Sequence, residues 1–165
     1  MADTVCVCVC VCVCCFLRAP AACAPQVEAH PHYPNDELRA YCEKEGIVLQ
    51  AYAALGGQDG SKAKWQALGG HVLESAPVQA AADAHVEEGA TAAKVLLRWA
   101  LQRGCSVTPK SASAARMGEN AAVFGFSLSD DEMGAITALR EGAAADPAMA
   151  RLCWRTDPLR MLDFE

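Results

Sequence analysis

Positive charge is scarce in this sequence of 165 residues: 14 lysines and arginines stand against 20 aspartates and glutamates, for a formal net charge of −6 and a pI near 5.2. That balance excludes the broad basic field on which nucleic-acid binders rely. Long apolar runs are missing as well. The most apolar stretch, Val5 to Leu17, is too short to cross a bilayer as a helix. The only charge before it is Asp3, where a secretory leader carries positive charge. Neither a nucleic-acid nor a membrane partner is expected. A cysteine framework is absent too, despite 10 cysteines. Six crowd between Cys6 and Cys15, and the others, Cys23, Cys42, Cys105 and Cys153, are scattered singly. Single cysteines in regular elements behave as small apolar residues, so the body of the chain reads as reduced and cytoplasmic.

Residues 1–24 stand apart from the rest. Val5 to Cys14 is a strict Val-Cys alternation, the product that a GT-dinucleotide repeat encodes in one reading frame. It is read here as translated repeat sequence outside the fold. As a strand it would place every thiol on one face and every valine on the other, an aggregation-prone arrangement. A thiolate metal cluster is the competing reading, but no lysines are present to balance its charge.

What is there instead of a general basic surface is one local basic spot. Val107-Thr108-Pro109-Lys110-Ser111-Ala112-Ser113 leads into a segment carrying Arg116, Glu119 and Asn120. Cys105 to Val107 fits a short buried strand, and Pro109 ends it by removing a ladder donor. Ser113 is a good N-cap for the helix that follows. Strand, basic loop, hydroxyls and helix N-terminus make an anion site: free amides and the helix dipole favour a phosphate, and an Arg fork with a Lys charge can clamp a dianionic monoester. A 2′-phosphate on an adenosine ribose is one such ligand. A capped surface helix with solvated charges fits the same spacing equally well.

The remaining elements alternate. A strand is expected at residues 26–30, stopped by Pro31, and Asn35 then caps a helix to about Glu45 with Leu38, Tyr41 and Cys42 as its apolar stripe. Residues 47–52 read as a second strand, apolar throughout and so covered on both sides. Residues 53–76 read as a long glycine-rich loop with little structure of its own. Residues 77–88 form a weakly amphipathic helix ended by Gly89. Thr91 caps the strongest helix, in which Ala92, Val95, Leu96, Trp99 and Ala100 make one face while Lys94, Arg98 and Gln102 point outward. Ser129 to Glu132 is a capping box that opens a last helix ending near Gly142. Residues 143–165 read as an irregular tail. Such βα alternation argues for right-handed units on a parallel sheet. Three parallel strands leave two open edges, which call for a partner.

Several motifs, in this order, resemble the aldo-keto reductase family: Gln26-Val27-Glu28-x-His30-Pro31, Leu38-x-x-Tyr41-Cys42, Gly46-Ile47 and Ala51-Tyr52-x-x-Leu55-Gly56. Val95-Leu96-Leu97-Arg98-Trp99-Ala100-Leu101-Gln102-Arg103-Gly104, Pro109-Lys110-Ser111 with Arg116 and Glu119-Asn120, and Phe126-x-Leu128-Ser129 complete the set. The resemblance spans about residues 26–139. It implies an α/β fold, a partial (β/α)8 TIM barrel made of about the last three βα units plus the C-terminal tail, so that residues 25–165 form the C-terminal part of an oxidoreductase domain. It implies NADP(H) as cofactor and a small-molecule carbonyl as substrate. Lys110, Ser111, Ser113 and Arg116 would hold the 2′-phosphate, as phosphate sites of such barrels gather after strands 7 and 8. Glu119 and Asn120 would contact the adenine, Tyr52 would stack on the nicotinamide and Gln26 would hydrogen-bond its carboxamide. Leu55 belongs to the same cofactor-binding set, although Ala53-Ala54 replaces the family's usual Ser-Pro before it.

No residues match the family's catalytic tyrosine with its Asp, Lys and His partners, nor its Ser-Asn pair at the fifth strand. Carbonyl reduction needs a proton donor opposite the hydride, so no catalytic residue is assigned and the chain is expected to be inactive alone, a truncated or wrongly assembled form of a larger reductase. Two further readings stand beside that one: a non-catalytic NADP-binding remnant or half-barrel that pairs with another chain, and a metal protein using the N-terminal cysteines with His30 and His32.

Overall fold

Parallel pairing puts three short strands, β1 (Gln26–Glu28), β2 (Gln50–Tyr52) and β3 (Ser106–Val107), side by side in that order. The computed structural model describes residues 24–57, 65–66 and 68–143. The Val-Cys repeat, the centre of the glycine-rich loop and the tail with Cys153 and Trp154 lie outside those residues. The helices are α1 (Asp36–Lys44), α2 (Ala76–Ala84), α3 (Ala92–Gln102), α4 (Ala114–Ala121), α5 (Asp130–Thr137) and α6 (Leu139–Ala143).

The register decides what each face of the sheet does. Gln26 lies level with Gln50 and Ser106, Val27 with Ala51 and Val107, and Glu28 with Tyr52. Because side chains alternate along a strand, Val27, Ala51 and Val107 share one face, and all three belong to or pack on the core. The opposite face carries Gln26, Gln50, Ser106, Glu28 and Tyr52. Of these Gln26 and Tyr52 are exposed and Gln50 and Ser106 half-buried. The expectation that β2 is covered on both sides therefore does not hold among the described residues. Its apolar reading came from residues 47–49, which are a lead-in to the strand: the Ile47 amide closes the end of α1 on the Cys42 carbonyl at 2.8 Å, and the Leu49 carbonyl accepts from Ser106.

Core packing is organised by α3. Val95, Leu96, Leu97, Trp99 and Ala100 are all buried, a wider face than the expected stripe because α2 and α4 pack against α3 as well as β3. The polar side of this helix is a fastener. Gln102 donates to the Leu128 carbonyl and accepts from the Leu128 amide, both at 2.8 Å, while Arg98 donates to Ser127 Oγ at 2.7 Å. Residues expected to point idly outward thus hold the segment before α5. Next to Gln102 at the C-terminal end of the helix, the Arg103 guanidinium lies 4.4 Å from the Trp99 ring centroid and pairs with Asp36, which also pairs with Arg140.

Local corrections have local causes. Asn35 sits at the start of α1 in the left-handed region (φ 50°) without capping it, because its side chain donates instead to the Glu28 carbonyl. Tyr41 is exposed and only Cys42 of the expected stripe is fully buried. The helix expected at residues 77–88 stops at Ala84 and continues as a 3-10 turn, Val86–Glu88, ended by Gly89 at φ 71°. The last helix breaks at Ala138 into α5 and α6, and Ser129 and Glu132 form the expected capping box. Cys42 and Cys105 are buried, free thiols whose pKa values burial pushes up, as expected of small apolar fillers.

The described parts of the glycine-rich loop are packed, not structureless. Trp65 and Val72 are buried and the Trp65 ring lies 4.1 Å from that of His71. Gly56 makes this possible. Its φ is +91°, and a Cβ there would meet Trp65 Cη2 at 2.6 Å and Val72 Cγ1 at 2.7 Å. Replacing Gly56 by Ala should therefore combine left-handed strain with overpacking that costs about 1–3 kcal/mol. A urea titration should show the lowered midpoint; an unchanged midpoint would mean that the indole yields freely.

Candidate functional site

Strand ends in a parallel sheet all open toward the same side, and there the described chain gathers several of the candidate polar residues. The loop after β3 runs through Thr108, Pro109 and Lys110 to Ser113, which caps α4: its hydroxyl accepts from the Arg116 amide at 3.4 Å. The Ser111 hydroxyl accepts from the Ser113 amide at 3.1 Å and donates to the Ser113 carbonyl at 3.2 Å. These bonds hold the turn in one shape. The first amides of α4, those of Ala114 and Ala115, have no acceptor within the helix, and the helix dipole gives that end partial positive charge.

Lys110 and Arg116 are exposed, and neither enters an ion pair among the described residues. The other arginines among the described residues are occupied: Arg39 pairs with Glu43, Arg98 bonds Gln102 and Ser127, and Arg103 and Arg140 share Asp36. Glu119 is exposed and Asn120 half-buried, both on α4 beyond the cap.

The sheet links this loop to the other candidate residues. Gln26, on β1, donates through Nε2 to Thr108 Oγ1 at 3.4 Å. Since β2 lies between β1 and β3, that side chain reaches across β2 on the open face. Tyr52 ends β2 on the same face, two residues beyond the level of Gln26, and is 42% exposed. Leu55 follows it in the loop and is half-buried against the core, which makes its side chain a packing element of the strand end. Gln26, Tyr52 and the 108–116 loop thus share one rim of the sheet, whereas Glu119 and Asn120 lie farther along α4. Thr108 was missed by sequence reasoning; its position next to Pro109 at the strand end was the available signal.

A second polar group lies beneath the same strand end. Glu28 and His30 are buried and joined at 3.1 Å, and His32 is buried beside them. Among the described residues no three His, Cys, Asp or Glu side chains gather into a group that could hold a metal ion, and the N-terminal cysteines of the metal reading lie outside those residues. No helix among the described residues is long and apolar enough to cross a membrane.

An α/β segment with parallel strands and a Ser113-capped helix after β3 defines a class: a βα part of a (β/α)8 barrel. The comparisons with known proteins agree with that fold. The family model described as "Aldo/keto reductase family" matches residues 18–141, and the chain belongs to that family. It is 39% identical over 119 residues to a probable NAD(P)H-dependent D-xylose reductase of Arthroderma otae, covering 71% of this chain and 36% of that protein. It is 40% identical over 117 residues to aldo-keto reductase family 1 member A1 of Xenopus tropicalis (70% and 34%) and 35% identical over 122 residues to glyoxal reductase of Bacillus subtilis (74% and 39%). Among solved structures, an aldo/keto reductase from Brucella melitensis superposes with a TM-score of 0.56 at 32% identity, covering 70% of this chain and 38% of that one. A Gox0644 variant in complex with NADPH gives 0.55 at 33% identity, covering 69% and 36%. The chain spans little more than a third of the length of these relatives.

The cap can be tested without any ligand. Ser113→Ala should weaken α4 by about 1 kcal/mol while Ser113→Asp preserves it, read as amide-exchange protection across Ala114–Ala121. Equal protection in both variants would mean that the hydroxyl does not hold the turn.

Proposed function

We propose that this chain carries the NADP(H)-binding rim of an aldo-keto reductase that reduces small carbonyl compounds to alcohols. The observation that carries it is the pair of unpaired cations, Lys110 and Arg116, flanking the Ser113-capped start of α4 on the rim shared with Gln26 and Tyr52. The donor set suits a phosphate monoester: two cations, the Ser111 and Ser113 hydroxyls, and free helix amides. Lys110, Ser111, Ser113 and Arg116 would hold the 2′-phosphate, and Glu119 and Asn120 the adenine. Gln26 would fix the carboxamide, Leu55 would shape the strand end, and Tyr52 would present its ring to the nicotinamide. When bound, the cofactor supplies the hydride.

These residues bind and orient; they do not move the proton. Reduction also requires an acid at the carbonyl oxygen, and no residue of this chain is assigned to it. Residues 25–165 are read as the C-terminal part of the reductase domain and residues 1–24 as lying outside it. The buried free thiols Cys42 and Cys105 suit a reducing, cytoplasmic setting. A second reading, a non-catalytic cofactor-binding half-barrel that pairs with another chain, draws on the two outer strands: β1 and β3 each have a neighbour on one side only among the described residues.

Fluorescence titration of the full chain tests the cofactor assignment. NADPH should bind more tightly than NADH, and Arg116→Ala should cost about 1.5–3 kcal/mol of NADPH binding, the range for a charge-assisted hydrogen bond, with NADH unaffected. Equal affinity for the two cofactors would overturn the assignment. Incubation with NADPH and glyoxal should give no cofactor oxidation; sustained turnover would show that an acid has been overlooked.

A further inference from the structure

The buried histidines after β1 are used neither for the core nor for the cofactor rim, and for His32 the hydrogen bond fixes which nitrogen carries the proton. A backbone carbonyl only accepts, so His32 Nδ1, 3.3 Å from the Leu139 oxygen, carries a proton. His30 Nε2 lies 3.1 Å from Glu28 Oε1. The other ring nitrogens, His30 Nδ1 and His32 Nε2, are buried with no hydrogen-bond partner among the described residues. The ring centroids are 6.3 Å apart. Two imidazoles on one zinc ion, with bonds of about 2.0–2.1 Å in tetrahedral geometry, would bring them to about 5 Å, so the pair is not set for a metal.

We propose that His32 is a proton-sensitive latch that joins the loop after β1 to the start of α6 and opens when the ring is protonated. Among the described residues no acceptor stands within hydrogen-bond distance of His32 Nε2, so a second proton on the ring would be buried without a partner. His30, with Glu28 behind it, approaches from the β1 side, Trp65 and His71 approach from the segment before α2, and α6 offers only the Leu139 carbonyl, already used. The charged Arg140 of α6 is engaged with Asp36. Burial holds the His32 pKa below its ordinary value of 6.5; the Leu139 bond opposes this, and His30 and His71 add to it. The sign follows. The open form takes up the proton near the ordinary value and the closed form does not, so the latch is intact above about pH 6.5 and weakens as pH falls below it. Glu28 lies level with Tyr52 in the sheet, so the loop that carries the latch leaves the strand beside the proposed nicotinamide position.

The experiment is amide exchange of the full chain between pH 7.5 and 5.5, corrected for intrinsic rates, with NMR detection of the His32 ring nitrogens. Protection across Leu139–Ala143 should fall by about tenfold per pH unit below the midpoint, the dependence for one linked proton, in step with His32 protonation. His32→Asn places an amide donor where Nδ1 stood and cannot titrate, so its protection should stay flat. A flat profile in the parent, a His32 titration unconnected with the protection, or an equally pH-dependent Asn variant would each overturn the proposal. The NMR titration of the parent decides alone if the variant does not fold. None of these readouts involves the cofactor, so failure of the latch leaves the cofactor assignment standing.

Discussion

Everything in this structure follows from the division of labour between the two faces of one short parallel sheet. Val27, Ala51 and Val107 turn to the core, with α3 packed on β3, while Gln26, Gln50, Ser106, Glu28 and Tyr52 lie on the other face, Glu28 alone of them buried. A one-residue slip in any strand would exchange these sets, placing glutamine and serine in the core. The register is therefore fixed by burial on one side, and the polar rim on the other side is its consequence. That is how a sheet with so few ladder bonds can still place Gln26 and Thr108 within hydrogen-bond reach across β2.

The rim has its electrostatic character because of what the rest of the chain does with its charges. Arginines in the packed parts are consumed by partners, above all Arg103 and Arg140 on Asp36. Burial lowers the pKa of Arg103 and the Asp36 carboxylate pulls it back up, the balance that keeps a half-buried guanidinium paired. Lys110 and Arg116 are exposed and enter no ion pair among the described residues. In an acidic chain, such a pair is a local patch of positive charge.

Sequence patterns were a good guide wherever one short-range rule dominated. The Ser113 cap, the Ser129–Glu132 capping box, the Thr91 cap and the glycine stops after Val86–Glu88 and α3 all stand where their side chains and φ angles require. The rules failed where a tertiary partner competed. Asn35 spends its amide on the Glu28 carbonyl instead of capping α1. Gln102, polar and on an outer helical face, clamps Leu128. Residues 47–49 are apolar because Leu49 fills the core beneath the helices, not because the strand is sandwiched. The Trp65–His71 stack was illegible because it depends on the left-handed turn at Gly56, a long-range fit that no periodicity announces. The proposed cofactor rim rests on residue types at one strand end; the Gln26–Thr108 bridge that ties its two sides together was not legible in the sequence.

Specificity for the extra phosphate is the claim on which the functional reading turns. It is tested most directly by mapping NMR amide shifts of the full chain with adenosine 2′,5′-bisphosphate and, separately, with adenosine 5′-monophosphate. The first ligand should move the amides of Ser111, Ser113, Ala114, Ala115 and Arg116, and the second should leave them in place. Identical responses to the two ligands, or shifts confined to other parts of the chain, would contradict it.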